Sequence, residues 1–325
     1  MEIKIKLAEE KNLRKVPLAL SKEADCLPDK AKMSEGLRKI YDELDELIGL
    51  RAVKAHIYEM QAFCQIGQLR RQLGLCSEPT VLHSVFFGRP GSGKTTVARI
   101  LAGIYQQMGV LSKGQIIEVE RADLVGEYVG HTAHKTKEQV GKALGGVLFI
   151  DEAYSLCRGG EKDFGREAID VLVKAMEDHK TDFILILAGY NNEMAEFLAS
   201  NPGLSSRIPL HCEFADYTLS ELMQIADLMF DKRVYQLNEQ GREALTKGLR
   251  RQMLLEGDDF GNARCIRNLV EAACRAQAVR LATAEQAPSL EQLQEIDELD
   301  IKRAILKLNI NAKKQENHLA RANYS

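Results

Sequence analysis

"GRPGSGKT", residues 88–95, decides how the rest of this chain is read. It matches G-x-x-x-x-G-K-[ST] in full, follows the apolar run "VLHSVFF" (81–87) and opens the helically spaced "KTTVARILAGIYQQMG" (94–109). Gly88, Gly91 and Gly93 let the backbone curl around a phosphate chain with its amides inward, and Arg89, Pro90 and Ser92 complete the same cradle. Lys94 is placed to reach the β- and γ-phosphates. The Thr95 hydroxyl can complete a magnesium shell, and Thr96 follows in a helical turn whose positive end faces the phosphates. ATP and Mg2+ are therefore the expected ligands.

Downstream, the rhythm is strand, loop, helix. "GQIIEVE" (114–120), "GVLFIDEA" (146–153), "DFILILAGY" (182–190) and "IPLHCEF" (208–214) have strand character. The segments 136–146, 165–180 and 191–202 have helical spacing. Apolar strands alternating with amphipathic helices predict an α/β fold with a doubly wound, mainly parallel sheet, whose ligands sit beyond the carboxyl ends of the strands. In "VLFIDEA" the polar residues come at such an end. Asp151 is positioned to hold magnesium, and Glu152 to act as general base toward an attacking water. The pair points to an ATP-hydrolysing machine rather than a small-molecule kinase, which needs an acceptor pocket. Hydrolysis builds negative charge on the γ-phosphoryl oxygens, and Arg207 and Arg264 are candidates to meet it.

Four domains of behaviour are expected. Residues 1–44 are charge-rich, with Pro17 and Pro28, and read as a flexible or partner-dependent arm. The α/β domain covers 45–216 and begins with a helix from about Leu50 to Leu73. Residues 217–308 read as a small all-helical domain of four successive helices, at 218–237, 239–254, 261–283 and 289–308. The last stretch, 309–325, is expected to fray.

The composition fits a globular protein: 45% hydrophobic and 28% charged residues, with a net charge of -3 that offers no overall attraction to nucleic acid. No apolar run approaches the roughly 18 residues of a membrane span, and the seven scattered cysteines, without a CxxC pair, suit a reducing cytoplasm.

"GEYVGHTAHKTKEQV" (126–140) admits two readings. Glu127, His131 and His134 suggest a metal cluster, but three ligands on a loop lack the fourth ligand and the fixed hydrogen bonding of a structural zinc site. The alternative is a moving part built on Tyr128-Val129-Gly130, where an aromatic side chain can pack against nearly any extended chain and the glycine supplies a bend.

"GRPGSGKT", "LFIDEA", "ILAGYNNEM", "NPGLSSR" and "GNAR" occur in the order seen in AAA+ ATPases. Over residues 45–308 the chain resembles the branch that contains red-type Rubisco activase and stage V sporulation protein K, and "DLVGEYVGHTAHKT" is among the most characteristic parts. The resemblance implies an α/β nucleotide domain with a helical lid, assembled as a homo-hexameric ring that remodels or threads a protein substrate, with bacterial spore formation as its setting. It also implies roles: Lys94 and Thr95 as Walker A, Asp151 and Glu152 as Walker B, Arg207 as the arginine finger given to the neighbouring subunit. Arg264 corresponds to the sensor-2 arginine, Ile48 and Gly49 to the adenine-packing segment, and Tyr128, Val129 and Gly130 to the pore loop. Where relatives place a water-orienting side chain after the fourth strand, this chain offers Asn191, with Tyr190 its rival. A nucleotide-dependent assembly scaffold, a Rubisco-activase-like remodeller and a DNA-handling motor are the competing readings.

Overall fold

A computed structural model describes residues 33–75, 80–128, 130–158 and 163–308. Five parallel strands form the central sheet: β1 (Ser84–Gly88), β2 (Ile116–Val119), β3 (Val147–Ile150), β4 (Ile184–Gly189) and β5 (Leu210–Phe214), in the order β2-β3-β4-β1-β5. Strand alternation sorts the core into two layers. Phe86, Phe149, Ile184, Ile186 and Ala188 face α2 (Arg51–Gln72) and α3 (Lys94–Gln107). Val85, Leu148, Ile150, Leu185 and Leu187 face α5 (His131–Ala143), α6 (Gly165–Asp178) and α7 (Asn191–Ala199). Because both faces of the inner strands are covered, β3 and β4 read as unbroken apolar runs, whereas the edge strands β2 and β5 carry Glu118, His211 and Glu213.

The expected arm through residue 44 needs correction. A helix, α1 (Glu35–Glu46), occupies its last part, capped by Ser34, whose Oγ accepts from the Leu37 amide. Leu37, Tyr41 and Leu44 are buried in the same core layer as α3, where Ile40 lies against Gly103. Three apolar residues at helical spacing suffice to dock it, although charged residues fill the other faces. The rest of the expected arm and the expected C-terminal tail, residues 1–32 and 309–325, lie outside the described residues.

A lid follows: α9 (Leu219–Asp231), α10 (Glu239–Glu256) and α11 (Asn262–Ala282) around one apolar cluster. Its α9 opens with a capping box, Thr218 and Glu221. The fourth expected helix, 289–308, is interrupted. It splits into α12 (Leu290–Gln294) and a helix over 298–308, with β7 (Glu295–Ile296) between them, pairing in parallel with β6 (Gln236–Leu237). Gln277, nearly buried on α11, donates to the carbonyls of Gln292, Leu293 and Glu295 at 2.9–3.1 Å. Those carbonyls therefore have partners without a continuous helix, which permits the break.

Candidate nucleotide site

The glycine loop leaves β1 at Gly88 and enters α3 at Lys94. Gly93 sits at φ +101° and no side chain caps α3, so the amides of its first turn remain available to an anion. Ser92 is buried, its hydroxyl donating to the Arg89 carbonyl at 2.8 Å, which fixes the curl. Lys94 Nζ donates to the carbonyls of Gly88 (2.7 Å) and Arg89 (2.9 Å). Its pKa is lowered by burial above all, with Arg264 adding to that and Asp151 opposing it. An ammonium held by two neutral carbonyls is ready to exchange them for phosphate oxygens, which compensate its charge better.

Strand order sets the rest. Asp151 and Glu152 follow β3 and Tyr190 follows β4, so Tyr190 stands between the carboxylates and the glycine loop of β1. The Asp151 amide donates to Val119 O (3.1 Å), and its Oδ1 accepts from the Glu152 amide (3.0 Å). Glu152 is exposed and holds a left-handed backbone, φ +47° and ψ +45°, which turns the chain sharply after the strand. Tyr190 tilts against Tyr154, ring centroids 5.9 Å apart. Burial and the Glu152 carboxylate raise its pKa, and Arg264 opposes them, so its hydroxyl stays a proton donor. Asn191 instead turns its amide toward Glu213 on β5, at 3.5 Å. Of the two sensor candidates, Tyr190 is the one in the electrostatic neighbourhood of Glu152, although the sequence reading put Asn191 first.

The lid reaches this site directly. The Ala263 amide donates to Gly91 O at 3.2 Å, and a Cβ on Gly91 would stand 2.4 Å from Gly261 O and 2.7 Å from the Arg264 amide. Gly91 also sits at φ +71°. Gly91→Ala is therefore expected to push the lid away, weakening ATP affinity about ten-fold or more and costing about 1–3 kcal/mol of stability. Calorimetric titration and a thermal melt check both, and an unchanged affinity would contradict the close approach. Arg264, exposed near the start of α11, is carried to the loop by this contact.

Arg89, expected in the phosphate cradle, instead joins Asp216, Tyr217 and Asn262, which the sequence reading did not select, in holding the junction. Arg89 sends its guanidinium to the lid, bonding Asp216 Oδ2 and Gly257 O at 2.9 Å and pairing with Asp258. Buried Asn262, at φ +47°, donates to Asp216 Oδ1 (2.8 Å) and accepts from the Tyr217 amide (3.1 Å). The Tyr217 hydroxyl donates to Ser92 O at 3.3 Å. Ile48 and Leu50 pack on the lid core, and Gly49, at φ +67°, lies so close to Glu221 Oε1 that a Cβ would stand 2.6 Å away. The Ile48–Gly49 segment thus borders both Tyr217 and the lid, with Lys54 Nζ donating to Leu47 O (2.6 Å) and Asp45 O (3.0 Å) beneath it. The signal was available in "GNAR" and "FADYTL", but only the fold joins them.

Two candidates lie away from this cluster. Arg207 follows α8 (Pro202–Ser205) and pairs with Glu177 on α6, donating also to Gly203 O at 3.0 Å. Tyr128 is 65% exposed, its ring edge-on to His131 at 5.4 Å. Gly130, at φ +81°, has no atom within 4 Å of where a Cβ would sit, and Val129 lies outside the described residues. The base of this loop is fixed: the Gly126 amide donates to the buried Thr132 hydroxyl (2.9 Å), and the Thr136 hydroxyl to Leu124 O (3.1 Å).

The residues suit ATP with magnesium. An added Cβ would clash with Phe214 at Gly88 and with the lid backbone at Gly91, so only glycine lets the loop keep this curl with its amides free. Thr95 and Asp151 supply the hard oxygen donors that magnesium takes.

The family described as "ATPase family associated with various cellular activities (AAA)" matches residues 84–214, and the AAA lid domain matches 218–310. Stage V sporulation protein K of Bacillus subtilis is 51% identical over 251 residues, covering 77% of this chain and 78% of that protein. Protein CbbX of Cereibacter sphaeroides is 48% identical over 78% of this chain and 82% of its own length. The chloroplastic ribulose bisphosphate carboxylase/oxygenase activase of Cyanidioschyzon merolae is 45% identical, covering 75% of this chain and 84% of that one. Among solved structures, the RuvB Holliday junction branch migration motor of Thermotoga maritima aligns with a TM-score of 0.54 at 21% identity. It covers 82% of this chain and 72% of the RuvB chain, a likeness of fold alone. The chain belongs to the AAA ATPases: it is an ATP-hydrolysing enzyme related to stage V sporulation protein K and to the CbbX and CfxQ proteins.

Proposed function

We propose that the chain is the subunit of a homo-hexameric ring that spends ATP on remodelling a protein substrate, in the manner of a Rubisco activase. The observation that carries this reading is Tyr128, exposed on a loop with a free glycine hinge and a tied base. A large aromatic side chain held in water gains by packing on a polypeptide, and it needs no particular sequence there. Several related proteins bear CbbX or CfxQ names and one is named as the activase, which favours this setting. Spore formation is the second reading, favoured by the 51% identity to the sporulation protein. A scaffold that assembles without pulling has less support, because it leaves Tyr128 without a use. Nucleic acid is not the proposed cargo, and a cytoplasmic setting is. Among the described residues, no helix is long and apolar enough to cross a membrane.

In this reading Lys94 takes the β- and γ-phosphates. Thr95 and Asp151 hold magnesium, which neutralises charge developing on the phosphoryl oxygens. Glu152 takes the proton of the attacking water, Tyr190 orients that water, and Arg264 reports the nucleotide to the lid. Ile48 and Gly49 pack along the adenine. Arg207 completes the neighbouring subunit's site, while Tyr128 and Val129 grip and Gly130 bends.

Tyr128→Ala tests the proposal. It is expected to keep ATP turnover within about three-fold and to lower reactivation of inhibited red-type Rubisco about ten-fold or more, the loss of an aromatic anchor. If the alanine variant reactivates as well as wild type, the gripping role is gone. If the wild type hydrolyses ATP and leaves Rubisco inhibited, the activase setting yields to the sporulation one.

A further inference from the structure

Arg121 begins α4 (Arg121–Leu124), at the foot of the Tyr128 loop, yet its side chain crosses to the turn that follows Glu152. Nη1 donates to Ser155 O at 2.6 Å, while Nη1 and Nη2 grip Asp163 Oδ2 (3.0 Å) and Oδ1 (2.6 Å). The Asp163 side chain is only 5% exposed, and its Oδ1 also accepts from the Gly165 amide that opens α6. A forked pair whose carboxylate is largely out of water differs in kind from a surface ion pair: its two parallel bonds fix the geometry of both side chains. The fit is tight as well, since a Cβ on Gly165 would stand 2.0 Å from Leu156 O and 3.1 Å from Arg121 Nη1.

On one side of this pair lies the catalytic turn. The Ser155 amide donates to Glu152 O at 2.8 Å, so two hydrogen bonds separate the Glu152 backbone from the Arg121 guanidinium. Glu152 is a non-glycine residue at φ +47°, a conformation that persists only where neighbours hold it. On the other side, α4, the loop and α5 are tied into one body. Lys135 Nζ donates to Ala122 O and Val125 O, and Thr132 and Thr136 hold the Gly126 amide and Leu124 O.

We propose that Arg121 and Asp163 are positioning residues that pass the nucleotide state of the Glu152 turn to the Tyr128 loop. The inference rests on the reading of that loop as the gripping part, and it adds the loop's regulation. The Arg121 fork bonds Ser155 and Asp163, so the pair acts through the turn and not on the phosphates.

Hydrogen–deuterium exchange on the full chain tests it, comparing the slowly hydrolysed analogue ATPγS with ADP. In the wild type, exchange of the segment around Tyr128 is expected to differ between the two nucleotides. Arg121→Lys keeps the charge and loses the fork; Asp163→Asn keeps the shape and loses the charge. Each is expected to shrink that difference about five-fold or more while ATPγS affinity stays within about two-fold. The exchanged pair, Arg121→Asp with Asp163→Arg, is expected to restore part of it. A merely structural pair would lower the melting temperature of the variants and leave the difference intact; that result, or a wild type with no difference, overturns the proposal. Retained affinity shows that a variant has folded. Failure here leaves the ring-motor reading standing, because that reading is decided by the Tyr128→Ala assay.

Discussion

Arg207→Ala is expected to hydrolyse ATP about a thousand-fold more slowly than the wild type, or worse, while binding it with unchanged affinity. The expectation starts from the sheet. β5 begins at Leu210, level with Ser84 at the start of β1, whereas the glycine loop leaves β1 at its other end, Gly88. Four residue steps of strand, about 13 Å, separate those levels. Arg207 lies three residues before β5 and turns toward Glu177 and Gly203, so it sits at the edge opposite its own nucleotide site. A cation placed there cannot meet charge on its own γ-phosphate, but it can serve a neighbour's. Its present partner does not lock it: Glu177 is 61% exposed, and such a surface pair contributes little. Mixing supplies the sharper measurement. Lys94→Ala subunits retain Arg207, and Arg207→Ala subunits retain the phosphate site. An equal mixture should recover about a quarter of the interfaces, since each head-to-tail contact needs one subunit of each kind in the right order. Turnover near the wild-type rate by Arg207→Ala alone would end the assignment, and a mixture as inactive as its parts would deny that the arginine acts across subunits.

The glycine loop, the five strands and most helix positions were legible because local sequence determines them. Gly91 and Gly93 must curl at positive φ, and strands covered on both faces must be apolar along their whole length. Reading failed where a distant partner decides. In α1, three buried side chains outweigh a run of charges, and their use is visible only once α3 lies opposite. The break after Gln294 depends on Gln277, seventeen residues earlier, satisfying carbonyls that a helix would otherwise have bonded. The choice between Tyr190 and Asn191 turns on one step at a helix start: Tyr190 is the cap residue of α7 and faces the β3 side, whereas the next residue already points to β5. The junction of Arg89, Asp216 and Asn262 draws on three separate stretches, so no single motif announces it.

The second large effect belongs to Glu152→Gln, expected to lower the hydrolytic rate about a hundred- to ten-thousand-fold, the range for losing a placed general base. The amide keeps the size of the side chain and its place after β3, but it cannot take a proton. Binding should not suffer. Glu152 contributes negative charge beside Lys94, so removing it lessens repulsion toward phosphates, and ATP affinity should hold or rise. Asp151→Asn provides the contrast. Its carboxylate is the proposed magnesium holder, and it also accepts from the Glu152 amide. Raising magnesium should therefore restore part of the Asp151→Asn rate by mass action and leave Glu152→Gln where it was. Single-turnover hydrolysis of γ-labelled ATP across a magnesium series reads both variants together. Equal rescue of the two would mean that both carboxylates serve the metal and that the proton leaves by way of solvent or the phosphate itself, since the raised pKa of Tyr190 keeps its hydroxyl protonated. Rescue of Asp151→Asn alone divides the adjacent carboxylates into a metal holder and a base.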